Sequence, residues 1–268
     1  MFHHGHTIVL FYHLVIMNWV FLLSGDKGAA NMVMEENKSN QQGQMESLVR
    51  HFYEIPGKVI MLHDGEYLFH EGDTARYFYI VRSGQIFITK YAMSGRVLSL
   101  RLASRASIIG ELPLYEKKPV YIFNAVAQSA AEVYAIEFPV LQSYLEKKPA
   151  LAISLLKIMG AHMRKQHSKF RDLLLYGKKG ALYSTLIRLA NSYGKETDGG
   201  ILISVPLTNQ ELANYSATAR ESLNRMLSEL RRADIIEYRG HLIFIKDIDY
   251  LKQAIQCENC GREICNIE

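Results

Sequence analysis

Between about residue 47 and residue 138, apolar and polar positions alternate in short runs divided by glycine turns. Residues 77–81 (YFYIV) lead through Ser83 and Gly84 into 85–90 (QIFITK), and 97–102, 123–127 and 131–136 repeat the pattern. A period of two buries one face of a strand, so strands at this spacing predict an all-β barrel or roll. The period then lengthens. Pro139 and Pro149 each suit the first turn of a helix, where a missing N–H costs nothing. From residue 150 a seam runs Ala152, Leu156, Met159, Met163, Gln166, Phe170, Leu173, in alternating steps of four and three. That coiled-coil pattern predicts a helix that pairs with its copy in a homodimer. Leu155, Ile158 and Leu174 stand off the seam and are expected to pack on their own domain.

Gly177 and Gly180 mark a hinge, and 181–193 reads as a helix. A turn over 195–200 and a strand over 201–205 follow. Thr208 then caps a short helix, a tight turn leads to a second helix over 219–232, and 235–238 and 241–245 form a hairpin around Arg239-Gly240. Helix, turn, helix and wing in that order predict a winged helix-turn-helix. The fold class is α+β, in five segments. Residues 1–46 are an N-terminal extension and polar arm. Residues 47–149 are a sensor-like β-roll and 150–176 a dimerisation helix. Residues 177–250 are the DNA-binding domain and 251–268 a cysteine tail.

A chain of 268 residues, 49% hydrophobic, can bury two ordinary cores. A net charge of +4 permits nucleic-acid binding without requiring it. The N-terminus carries an apolar run over 7–23 that could be a signal peptide or a short membrane span, although no Lys or Arg precedes it and His13 and Asn18 interrupt it. A third reading takes residues 1–31 as untranslated. Lys27-Gly28-Ala29 can be encoded by AAA GGA GCN, which contains the ribosome-binding sequence AAAGGAG, and this predicts a start at Met32 or, failing that, Met34.

The chemistry-bearing residues lie near the C-terminus. All three cysteines, Cys257, Cys260 and Cys265, fall within nine positions of a short polar tail. Three thiols cannot pair off fully. Their C-x2-C-x4-C spacing suits a soft metal, iron or zinc, in a reducing cytoplasm. His162, His167 and His241 are conceivable fourth donors. On the second helix of the DNA-binding domain, Arg220, Glu221, Asn224 and Arg225 fall on one leading face. Arginine matches guanine O6 and N7, and glutamate accepts from cytosine N4. Thr208, Ser216, Thr218 and the Lys178/Lys179 pair are expected to hold phosphates.

From about residue 50 to 250 the chain resembles the catabolite-activator/Fnr family of bacterial transcription regulators. The resemblance rests on Gly72-Asp73, Gly110-Glu111-Leu112, the long helix and the helix-turn-helix. It implies a cyclic-nucleotide-binding-like β-roll, a homodimer acting with RNA polymerase on double-stranded DNA, and no catalytic activity. The Arg220-Glu221-x-x-x-Arg225 face is similar to that of catabolite activators, which read TGTGA arms, so a TGTGA-type inverted repeat is expected. In cyclic-nucleotide members a downstream arginine pairs the cyclic phosphate. Here Tyr121 stands in its place, and a phenol cannot neutralise a phosphate, so no cAMP binding is expected. The tail is similar to that of the Fnr proteins of Gram-positive bacilli. This implies one oxygen-sensitive [4Fe-4S] cluster per subunit on Cys257, Cys260 and Cys265, with Asp172, at the end of the dimer helix, as fourth ligand. The expected function is an oxygen-responsive cytoplasmic regulator of anaerobic genes. A same-fold regulator with structural zinc or another input is the alternative.

Overall fold

The computed structural model describes residues 43, 45–110 and 117–267. The apolar run over 7–23, the expected start at Met32 and the Glu111-Leu112 turn lie outside them. A 3-10 turn, His51–Glu54, drops Phe52 into the core ahead of the roll. Its strands are β1 (Lys58–Leu62), β2 (Tyr67–Phe69), β3 (Tyr77–Ser83), β4 (Ile86–Tyr91), β5 (Val97–Ala103), β6 (Ile108–Ile109), β7 (Asn124–Ala127) and β8 (Ala131–Glu137). They form two antiparallel four-stranded sheets, in the orders β1-β8-β3-β6 and β2-β7-β4-β5. Alternation holds where one face meets solvent, as along most of β8. The central strands β3 and β4 each carry four consecutive buried residues, because both their faces are covered.

Helix α1 (Phe138–Lys147) places Pro139 in its first turn and buries Leu141 against the roll. Helix α2 (Pro149–Tyr193) runs 45 residues but is broken at Gly177, whose φ of 60° and ψ of −154° no helical residue adopts. The break falls at the glycine where a hinge is expected. Gly180 packs so close that a Cβ would stand 3.0 Å from the carbonyl oxygen of Asp172.

Three of the seven expected seam positions of α2 are exposed. Leu156, Met163 and Phe170 are exposed, while Ala152, Met159, Gln166 and Leu173 are partly buried, and the further exposed apolar residues of this half are Ile153, Leu174 and Leu175. Met159 instead packs against the roll core beside Leu155 and Ile158. A helix seated on its own domain turns the inner half of an apolar stripe inward. Leu174, expected to pack inside, is 75% exposed.

Beyond the hinge, the second half of α2 buries Leu182, Leu186 and Leu189. They meet α3 (Asn209–Tyr215), α4 (Arg220–Arg232), and a sheet of β9 (Gly194–Thr197), β10 (Gly200–Ile203), β11 (Ile236–Arg239) and β12 (Leu242–Ile245), in the order β11-β12-β10-β9. Residues 194–197, expected partly as turn, pair with β10, and the turn shrinks to Asp198-Gly199. Helix α5 (Ile248–Ala254) follows, and its Leu251 is fully buried. The tail is not the polar appendage its composition suggests. Ile255, Cys265 and Ile267 join the same core, and the amide of Leu102 in β5 donates to the carbonyl of Ile267 at 3.4 Å.

Candidate nucleic-acid interface and cysteine site

Thr208 starts α3 with a reciprocal cap. Its hydroxyl accepts from the amide of Glu211, and the Glu211 carboxylate accepts from the amide of Thr208 at 2.7 Å. The turn to α4 passes through Ala217 at φ 49°, a left-handed position held by a residue with a Cβ. Leu223, Met226, Leu227 and Leu230 pin α4 to the core, which turns Arg220, Glu221, Asn224 and Arg225 outward together. Asn209 of α3 donates to the side-chain oxygen of Asn224 at 2.7 Å, and the Tyr238 hydroxyl of the wing donates to Asn209 at 3.4 Å. Gly240, at φ 63°, turns the wing beside exposed Arg239 and His241.

Not all the expected phosphate contacts share this surface. Ser216 is fully buried and Thr218 is 9% exposed, because both close the turn between the helices. In this conformation neither hydroxyl faces outward, and neither has a hydrogen-bond partner within the described residues. Lys179 pairs with Glu229 near the far end of α4 at 2.8 Å, a bond between the hinge helix and the recognition helix. Thr208 remains on the surface.

In the roll, Tyr121 is 2% exposed and stacks on Phe69, with ring centroids 3.7 Å apart. Its hydroxyl donates to the carbonyl of Tyr77 at 2.8 Å and accepts from the Tyr77 amide at 3.1 Å. Tyr121, expected to stand in place of a phosphate-pairing arginine, is thus a buried ring bonded to main chain. A cavity of about 340 Å3 lies between roll and α2, lined by Phe69, Ile88, Arg101, Phe123, His162 and Lys165 among others. Burial, then the charges of Arg101 and Lys165, push His162 down to about 3. That neutral ring lies 3.4 Å from the Arg101 guanidinium.

Cys265 lies in the core of the DNA-binding domain, and Cys257 and Cys260 pack against that same core. Cys257 and Cys260 are half-buried and Cys265 buried. Burial pushes the Cys265 thiol up to about 11 against the opposing pull of Arg188, and the neighbouring thiols push the same way. Three ionised thiols could share this corner only with a cationic group to offset them, and a soft metal group fits that donor set. As they stand, no three or more His, Cys, Asp or Glu among the described residues are placed to hold a single metal ion.

Asp172 lies inside, 2% exposed, with both oxygens engaged. Oδ1 accepts from Arg171 Nη2 at 2.6 Å and Nε at 3.0 Å, and Oδ2 from the Ser184 hydroxyl at 2.5 Å and Arg188 Nη2 at 3.4 Å. Arg171 also pairs with Glu258, between the first two cysteines. A metal at Asp172 would have to displace one of these donors. Sequence reasoning missed Arg171, Ser184, Arg188 and Glu258. The available signal was Arg188 itself, a charge amid the apolar run 186–190.

Comparison with known proteins agrees with this architecture. A cyclic nucleotide-binding domain matches residues 59–148 and a Crp-like helix-turn-helix domain matches residues 180–254. The anaerobic regulatory protein of Bacillus subtilis is 48% identical over 204 residues, which are 75% of this chain and 85% of that protein. The chain belongs to the Crp/Fnr family of regulators. A CRP-like cAMP-activated global transcriptional regulator of Mycobacterium tuberculosis is 25% identical over 70% of this chain and 83% of its own length. Among solved structures, FixK2 from Bradyrhizobium japonicum superposes with a TM-score of 0.63 at 17% identity, over 75% of this chain and 98% of that one. The c-di-GMP responsive regulator CLP of Xanthomonas campestris gives 0.63 at 20% identity, over 76% and 99%. At such identities the structural matches establish the fold. As a Crp/Fnr regulator, this chain is a DNA-binding transcription factor. No described helix is long and apolar enough to cross a membrane.

Proposed function

We propose that this Crp/Fnr regulator is a homodimer that binds a TGTGA-type inverted repeat in the cytoplasm when a [4Fe-4S] cluster is in place on Cys257, Cys260 and Cys265, so that it controls anaerobic genes in response to oxygen. The seating of all three tail cysteines in or against one core, with Cys265 buried, carries the reading. The likeness to a protein named an anaerobic regulator supports it. When bound, such a cluster supplies an oxygen-labile link between the tail and the rest of the chain. Asp172 is the proposed fourth ligand, in exchange for one of its present hydrogen-bond donors.

The chain's own residues do the remaining work. Arg220, Glu221 and Arg225 present donors and an acceptor to base edges, and Thr208 stands where it can hold a phosphate. The exposed stripe of Ile153, Leu156, Met163, Phe170 and Leu174 suits a second copy of α2, which would set two recognition helices about one DNA turn apart. RNA polymerase is the partner on bound DNA. Tyr121, buried where a phosphate would be paired, supports an input other than cyclic nucleotide.

Anaerobic purification tests the reading. Brown protein with broad visible absorption and about four irons per chain is expected, and Cys260→Ala should lose both. A colourless protein with one zinc per chain would favour the structural-zinc alternative. Iron retained in Cys260→Ala would refute the assignment.

A further inference from the structure

We infer that Arg188 is a positioning residue that registers the cysteine loop against the first half of α2, so that one guanidinium joins the tail, the DNA-binding domain and the long helix. Arg188 is 1% exposed and heads the fully buried side chains by size. Its Nε donates to Ser184 Oγ at 3.1 Å, within its own helix. Its Nη1 donates to the carbonyls of Ile264 at 2.9 Å and Asn266 at 3.5 Å, on either side of Cys265. Its Nη2 donates to Ser168 Oγ at 2.8 Å and to Asp172 Oδ2 at 3.4 Å, both ahead of the Gly177 break. Asn191 completes the hold on the tail, donating from Nδ2 to the carbonyl of Cys265 at 2.7 Å.

The geometry needs an arginine. All its N–H directions lie in one plane, and here they leave it toward three separate segments. A lysine ammonium could answer Asp172 or the tail carbonyls but not both. Arg171 makes a second, outer bridge of the same kind, from Asp172 to Glu258. The long helix and the cysteine loop therefore meet through two arginines, and a change in the loop reaches Ser168 and Asp172 through the side chain of Arg188. The regulatory consequence rests on the cysteine site proposed above, whereas the registration itself does not.

The experiment uses the full chain, metal-free and reduced, and follows each thiol with a maleimide reagent by mass spectrometry, with circular dichroism as a fold control. Arg188→Lys keeps the buried charge and removes the fork. Losing a hydrogen bond to a charged group should raise the Cys265 labelling rate by roughly tenfold or more. Labelling of Cys257 should change little and the cooperative unfolding transition should persist. A Cys265 rate equal to that of the unchanged protein overturns the inference. So does uniform acceleration of all three thiols with the transition retained, which marks a merely structural role. Should Arg188→Lys not fold, Ser168→Ala decides. It removes only the α2 partner, 20 residues from the arginine, and should still speed Cys265 labelling. No change there overturns the inference. Iron content after anaerobic reconstitution is read in parallel. An unchanged protein that takes up no iron defeats the cluster reading alone and leaves the thiol result to decide the role of Arg188.

Discussion

Replacing Asp172 by alanine should destabilise the metal-free protein strongly, although the residue lies on a helix whose opposite face is exposed. The carboxylate is 2% exposed and receives four hydrogen bonds from three side chains. Alanine leaves the Arg188 guanidinium, 1% exposed, without its counter-charge in the interior. Removing one partner of a buried pair costs about 3–5 kcal/mol. Arg171 adds less, because its side chain is 20% exposed and still has Glu258. Asp172→Asn keeps a neutral acceptor and should cost about 1–3 kcal/mol. Against a total stability of about 5–15 kcal/mol, the two variants are well separated. Urea unfolding followed by far-ultraviolet circular dichroism measures both. The double variant Asp172→Ala/Arg188→Met should be less destabilised than the sum of the singles, since it removes the stranded charge. A cost below about 1 kcal/mol for Asp172→Ala would refute the reasoning, because that is how a solvated carboxylate behaves. The result also governs the ligand test. Iron lost from Asp172→Ala mixes ligation with folding, so Asp172→Asn, with its fold retained, is the informative variant.

Four further outcomes are expected. Arg225→Ala should flatten preference at one guanine of each arm by about 1–3 kcal/mol rather than weaken all sequences equally. A binding selection reads this, and recovery of TTGAT arms, or of no palindrome, would show that the Arg220-Glu221-Arg225 face has been misread. Phe170→Asp, on the exposed stripe of α2, should shift sedimentation from dimer to monomer while the circular dichroism spectrum stays unchanged. His162, held near 3 by burial and by Arg101 and Lys165, binds no proton in the folded chain between pH 6.5 and about 3, whereas the unfolded chain does. Stability should therefore fall as pH falls through that window, with a slope of at most about 1.4 kcal/mol per pH unit because a single proton is involved, and His162→Gln should flatten the dependence of the urea midpoint on pH. Ala217→Gly relieves a left-handed residue at φ 49° and should be neutral to stabilising by up to about 1 kcal/mol, since glycine also loosens the unfolded chain; a clear loss of stability would contradict the strain.

The sequence by itself determined the architecture wherever local chemistry and periodicity agree. Period-two runs with glycine turns became β3, β4, β5, β7 and β8, and Pro139 and Pro149 opened their helices. Gly177 broke α2 because a φ of 60° suits glycine, and Thr208 capped α3 because Glu211 lies three residues on. These signals act within a few residues, so a linear reading captures them. The leading face of α4 was legible for the same reason, as its apolar positions leave one side free for Arg220, Glu221, Asn224 and Arg225. Only the tertiary structure decided which half of the α2 stripe turns inward, because periodicity marks an apolar face without saying what covers it. The tertiary structure also withdrew Ser216 and Thr218 from the surface and drew Cys265 and Ile267 into a core from a segment that reads as polar. The link from Asp172 through Arg188 to the cysteine loop was equally hidden. Its partners are up to 78 residues apart along the chain, and no local pattern specifies a buried guanidinium whose donors are shared among three segments.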